Sequence, residues 1–240
     1  MRMKILVISD LHLCDRRHEE NQDLVRLEKL AQFIKNSGAG AVLNLGDTVS
    51  RRDFLTETFP SMEKGFQFYL KWRSQFDIPF AECAITRELS FFSSLLQQKP
   101  DSFFDISPDC AIITMTPLQG VGHEFLPHQL EFLYNALGAC KGKTVVIGTH
   151  VPFPGSCSRE EKPGIFLEIP PELKEQLCTF PGRIIWCGGH FHWNQEAPKT
   201  TGSLTALYGS RFSLKVRGDS SYTSFIDTVT GEISFDFHDF

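Results

Sequence analysis

The 240-residue sequence contains no long hydrophobic run and no stretch of basic residues. A membrane-spanning helix needs roughly 18 or more consecutive apolar residues, so none is expected. The run Ile5 to Ile8 near the start is too short even for a signal-peptide core, which predicts a soluble, cytoplasmic protein. Lys and Arg number 24 against 29 Asp and Glu, a formal charge of −5. That balance weighs against tight sequence-independent nucleic-acid binding, which relies on an extended basic surface. The seven cysteines form an odd set with no C-x-x-C pair, so they read as buried or free thiols rather than a disulfide framework. Tyrosine and tryptophan are scarce at four and three, whereas phenylalanine reaches 22 and falls mostly in apolar or alternating segments, as core residues do.

The length and composition suit one globular domain spanning residues 1–240, without internal repeats or low-complexity segments. Four short apolar runs end abruptly at small or polar residues: Ile5 to Ile8, Ala41 to Leu43, Val145 to Ile147 and Ile184 to Trp186. They read as buried strands. Helical spacing marks Leu24, Leu27, Leu30, Ala31 and Ile34, and again Leu130, Leu133, Tyr134 and Leu137. This alternation predicts an α/β sheet covered by helices. Beyond Gly202, the segments Leu204 to Tyr208, Tyr222 to Ile226 and Ile233 to Phe237 read as antiparallel strands, and the prolines 152, 154 and 163 as a surface loop.

The Asp and His residues fall in informative places. Asp10 and His12 follow the first run, Gly46-Asp47 the second, Gly148-Thr149-His150 the third and Gly189-His190-Phe191-His192 the fourth. Ligands of open α/β sheets bind beyond the carboxyl ends of strands, so these segments are expected along one edge of one sheet. Two carboxylates and four imidazoles suit Zn, Mn, Fe or Ni better than Ca or Mg. A further D-x-H, Asp236-Phe237-His238, lies within an alternating segment, where both polar side chains are expected on an exposed strand face. His18, His123 and His128 read as surface or structural residues.

In order and spacing, these four motifs resemble those of the calcineurin-like metallophosphoesterases, over nearly the whole chain. The segment Leu126 to Leu133 (LPHQLEFL) resembles the cyclic-nucleotide phosphodiesterase-type branch. The resemblance implies a four-layer α-β-β-α sandwich with two central mixed β-sheets. It also implies one divalent transition metal (Mn, Fe or Zn) on Asp10, His12, Asp47 and His192, with Asp47 bridging to a second on His150 and His190. Family members hydrolyse small phosphorylated substrates with hydroxide generated on such a pair.

One family motif is absent: Gly-Asn-His followed by an acid. Aligned from Ile78-Pro79, its place holds Ile85-Thr86-Arg87-Glu88, which puts Thr86 at the Asn ligand and Arg87 at the His that assists the leaving group. A threonine hydroxyl is the poorer ligand, and Arg87 can clamp a phosphate but cannot give up a proton. A shifted alignment brings Glu82 towards the metals instead. Arg51 and Arg52 read either as groups near the site or as a solvated turn. Two functions follow: a metal-dependent hydrolase of a phosphodiester, phosphomonoester or pyrophosphate, or a catalytically impaired metal-binding relative serving as a binding or regulatory protein.

Overall fold

The computed structural model describes residues 3–13, 22–49, 61–117, 123–158, 166–192, 195–209 and 221–238. The chain first forms β1 (Lys4–Ile8), α1 (Gln22–Ser37), β2 (Ala39–Asn44), α2 (Met62–Arg73) and β3 (Phe80–Glu82). A 3-10 turn at Thr86–Glu88 runs into the single-turn α3 (Leu89–Phe91). Then come β4 (Ser102–Ser107), β5 (Cys110–Thr114), α4 (Pro127–Ala139), β6 (Thr144–Gly148), α5 (Pro171–Cys178) and β7 (Arg183–Gly188). The remaining strands are β8 (Lys199–Thr201), β9 (Leu204–Tyr208), β10 (Ser221–Asp227) and β11 (Ile233–His238).

Alternating side chains of an extended strand point to opposite faces, and in β1 both faces are covered. Ile5 and Val7 pack with Ile112, Val146 and Ile185 between two sheets, whereas Leu6 and Ile8 pack against Leu27, Leu30 and Ile34 of α1 and Tyr69 and Trp72 of α2. Burial on both sides is why β1 reads as an unbroken apolar run. The described strands form one sheet in the order β11-β10-β1-β2-β3 and a second in the order β4-β5-β6-β7-β9-β8. Both are mixed: the first is antiparallel from β11 to β1 and parallel from β1 to β3, and the second is parallel from β5 to β9 with β4 and β8 antiparallel at its edges. On the far face of the second sheet, Leu133 and Leu137 of α4 and Leu173 and Leu177 of α5 cover Val145, Ile147, Ile184 and Trp186. The result is the four-layer α-β-β-α sandwich. No helix among the described residues is long and apolar enough to cross a membrane, and the six described cysteines are free thiols, Cys14 lying outside that set.

Several expectations need correction. The four motif-bearing strands belong to two sheets: β1 and β2 to the first, β6 and β7 to the second. Apolar runs buried on both faces carry no mark of which sheet owns them. Leu204–Tyr208 pairs antiparallel with β8 but parallel with β7, in the second sheet, whereas β10 and β11 form an antiparallel pair beside β1 in the first. Leu24 is exposed because the buried stripe of α1 runs through Asp23, Arg26 and Leu27. Val151, Pro152 and Phe153 are buried, with Phe153 against Trp186, so this stretch is no surface loop; Pro163 lies outside the described residues.

His238 is also misplaced by the alternation argument. It shares a strand face with the exposed Asp236, but that face runs beneath α1. There His238 is buried, its Nε2 lies 2.9 Å from Thr223 Oγ1, and its ring meets Phe33 edge-on at 4.4 Å. His238→Ala should therefore leave metal content unchanged and cost roughly 1–3 kcal/mol of stability, read by denaturant unfolding. Burial pushes the imidazole below its ordinary value, partly offset by Asp236, so the unfolded chain takes the proton first. Acidification from pH 6.5 downwards then destabilises the wild type through this group, and the variant lacks that component. A variant as stable as wild type across that range would contradict the placement.

Candidate metal centre at the join of the two sheets

Beyond the ends of β1 and β2 the chain segments stay paired. Asp10 N donates to Gly46 O at 3.0 Å, His12 N to Asp47 O at 3.0 Å and Leu13 N to Thr48 O at 2.9 Å. The β2 turn is clamped from within by Asn44, whose Oδ1 accepts from Gly46 N at 3.2 Å and whose Nδ2 lies 2.9 Å from both Thr48 Oγ1 and Glu82 Oε2. Gly46 has φ +94°, and a Cβ there would stand 2.9 Å from the Cys83 carbonyl oxygen, so glycine is required on both counts. From the second sheet, Gly189 N donates to His150 O at 2.9 Å, and a Cβ on Gly189 would meet Ser9 Oγ at 2.1 Å. The absent side chain lets the end of β7 close on the end of β1.

This closure brings Asp10, His12, Asp47, His150, His190 and His192 together. Asp10 is fully buried. Its Oδ2 accepts from Ser9 Oγ at 2.5 Å and from His190 N at 3.1 Å, while its Oδ1 is buried without a hydrogen-bond donor among the described residues. His192 Nε2 and His12 Nε2 stand 3.4 and 3.9 Å from that oxygen, and 2.9 Å from each other. Asp47 Oδ2 is 3.5 Å from His12 Nε2 and 3.9 Å from His150 Nε2. His150 Nδ1 donates to the Leu45 carbonyl at 3.1 Å, which fixes its tautomer and leaves a lone pair on Nε2, 3.1 Å from His190 Nδ1.

The electrostatics agree with these contacts. Burial alone would raise the Asp10 carboxyl, but the neighbouring imidazoles of His192, His150 and His12 hold it well below the usual range. Burial pushes His12 down against the pull of Asp47 and Asp10. It also pushes His190 down to about 4, with help from His150. A buried carboxylate oxygen without a hydrogen-bond donor among the described residues, facing the imidazoles of His12 and His192, is a donor set suited to a divalent cation. Two groups converge closely enough: Asp10, His12 and His192, and Asp10, Asp47 and His150.

Backbone conformation marks the same residues. Asp10, His12, Asp47, His190 and His192 have φ of +56°, +47°, +53°, +82° and +50°, five of the seven left-handed non-glycine residues among those described. Such conformations cost of order 1–3 kcal/mol each and persist where surroundings impose them, commonly at functional sites. A sixth is His123, at +48°, buried with its ring centroid 6.4 Å from that of His190. Reading His123 as one more surface or structural residue missed that neighbour; the only hint was the dipeptide Gly122-His123, too short to act on. His128 is exposed, whereas His18, Arg51 and Arg52 lie outside the described residues.

Residues 85–88 follow β3. Ile85 is extended, at φ −107°, a conformation that suits a β-branched residue. Thr86 opens the 3-10 turn and is exposed, and Arg87 Nη2 contacts Asp47 Oδ1. Glu88 is wholly buried and accepts from Thr48 N at 2.9 Å, Val49 N at 3.4 Å and Ile85 N at 3.2 Å, tying the β3 turn to the β2 turn. Burial and then Asp47 push its carboxyl up to about 8, against Arg87 and the backbone donors. Glu82 does not join the centre. Its carboxylate is engaged on the helix side, by Asn44, Tyr69 OH at 2.8 Å and Arg73 Nη1 at 3.2 Å, which removes the shifted alignment.

No family model matches the chain, and no curated protein matches it in sequence. Solved structures do match in three dimensions. A dimetal phosphatase from Danio rerio is similar with TM-score 0.73 at 13% identity, covering 98% of this chain and 95% of that one. A putative 5'-nucleotidase from Staphylococcus aureus, solved in complex with alpha-ketoglutarate, is similar with TM-score 0.58 at 13% identity, over 99% of this chain and 53% of that one. At such identities the likeness is one of architecture, and with the two-sheet sandwich it gives the conclusion that this chain has the calcineurin-like metallophosphoesterase fold.

Proposed function

We propose that the protein is a metal-dependent hydrolase of a small phosphorylated substrate, a phosphodiester, phosphomonoester or pyrophosphate. The observation that carries this reading is the buried Asp10 Oδ1, without a donor among the described residues and facing His12 and His192. A similar architecture in a dimetal phosphatase supports it. In this reading Asp10, His12, Asp47 and His192 hold one ion, and His150 and His190, with Asp47 between the halves, form the place of a second. Mn, Fe or Zn suits these donors. A bound transition metal supplies Lewis acidity, lowering the pKa of water and neutralising phosphoryl oxygens. Arg87 clamps the substrate: its Nε–H is buried without an acceptor among the described residues, and a guanidinium fork matches phosphate oxygens. Thr86 contributes at most a weak hydroxyl donor beside it.

The second reading, a binding or regulatory protein with impaired catalysis, draws on that same Arg87. An arginine cannot protonate a leaving group, and loss of a general acid costs about 10²–10⁴-fold in rate.

Asp47 lies between both groups of imidazoles, so Asp47→Ala should remove most of the bound metal. The affinity should fall by more than the roughly 10–100-fold that losing an outer-shell partner costs. Elemental analysis showing unchanged metal would sink the assignment. Leaving groups separate the two functional readings. Nitrophenolate departs without a proton and an alkoxide does not, so the wild type should cleave nitrophenyl esters disproportionately better than alkyl esters. Thr86→Asn combined with Arg87→His should raise alkyl-ester turnover by about 10²-fold or more, and nitrophenyl turnover less. Equal wild-type rates on both esters would mean that another group donates the proton, and no turnover of either would favour the binding protein.

A further inference from the structure

The two halves of the centre are unequal in what they lack. In the half formed by Asp10, His12 and His192, a fully buried carboxylate oxygen has no donor among the described residues. In both halves two imidazole nitrogens face each other, His12 Nε2 and His192 Nε2 at 2.9 Å and His150 Nε2 and His190 Nδ1 at 3.1 Å, so the halves differ at their carboxylates. His150 Nδ1 donates to Leu45 O, which leaves Nε2 as an acceptor, and His190 Nδ1 stands 3.1 Å away, where its N–H completes the pair. Asp47 Oδ1 is engaged by the Arg87 guanidinium, a charge that cannot be titrated away near neutral pH. Asp47 is only 7% exposed, so water screens this ion pair weakly.

From this asymmetry, and resting on the metal-site reading above, we infer that Arg87 is the second cation of the centre. One metal ion occupies the Asp10, His12 and His192 half, with Asp47 Oδ2 beside it, and the guanidinium on Asp47 Oδ1 takes the place given above to a second ion. The charge balance agrees. Asp10 and Asp47 contribute two negative charges, Arg87 cancels one, and a single divalent ion leaves a net of one positive charge to meet an anionic substrate. A second divalent ion would raise the net to three within a buried cluster and would share Asp47 with a guanidinium already on it. Arg87 therefore does more than leave the second metal site poorly furnished: it occupies the electrostatic role of that metal.

The test is metal stoichiometry, which does not depend on turnover. Metal-free full-length protein is loaded with Mn(II), desalted and measured by elemental analysis, with electron paramagnetic resonance reporting whether ions are isolated or coupled. Wild type should hold one ion per chain with an isolated-ion spectrum. Arg87→Met, and independently Arg87→Gln, should hold two with a coupled spectrum, the second binding about 10²-fold or more tighter than in wild type. Arg87→Lys keeps the charge and should stay at one. Wild type carrying a coupled pair would overturn the inference while leaving the hydrolase reading intact. So would neutral variants that fold, by circular dichroism, yet remain at one ion. Wild type that binds no manganese, zinc or iron would overturn the hydrolase reading together with this inference.

Discussion

Taking an ionised carboxylate out of water costs several kcal/mol unless hydrogen bonds and opposite charge replace its hydration. Asp10 presents this problem at the join between two sheets, with no exposure to solvent. One of its oxygens is satisfied by one donor from each side of the join, the Ser9 hydroxyl and the His190 backbone N–H. The other has only imidazoles nearby. The same carboxylate therefore fastens the sheets to one another and creates a local demand for positive charge. Protein hydrogen bonds meet half of that demand, at Oδ2, and imidazoles face the other oxygen.

Meeting this geometry strains the backbone around it. Asp10, His12, Asp47, His190 and His192 are all left-handed, a region that Asp and His enter more readily than most residues but still at a cost. The imposed conformation is paid for by rigid surroundings. Parallel segments hydrogen-bond past the strand ends, Asn44 braces the β2 turn, and Glu88 pulls the β3 turn onto the β2 turn. Gly46 and Gly189 remove the two side chains that would hold these pieces apart. The candidate metal centre and the strained backbone thus share one location, where two sheets close on a buried charge.

Much of this arrangement was legible in the amino-acid order, and the gaps have physical causes. Asp10, Asp47, His150 and His190 stand just past apolar runs, which is enough to expect them at strand ends. Their distribution over two sheets was invisible, because β1, β2, β6 and β7 are buried on both faces and share one texture. The alternation of β11 was read well, but nothing local shows that Phe33 of α1 roofs His238. His123 escaped because its proximity to His190 depends on a loop that no periodicity describes. The engagement of Glu82 by Asn44, Tyr69 and Arg73 escaped likewise, being spread over 38 positions of sequence. For Arg87 the sequence gives a candidate site residue, whereas its contact with Asp47 is a fact of three dimensions.

Anomalous diffraction from crystals of the metal-loaded protein tests the central claim most directly, because it locates the cation without reference to turnover. The account predicts one strong peak within coordination distance of Asp10 Oδ1, His12 and His192, with Arg87 still on Asp47. A peak confined to the His150 and His190 half, or none near Asp10, would contradict it.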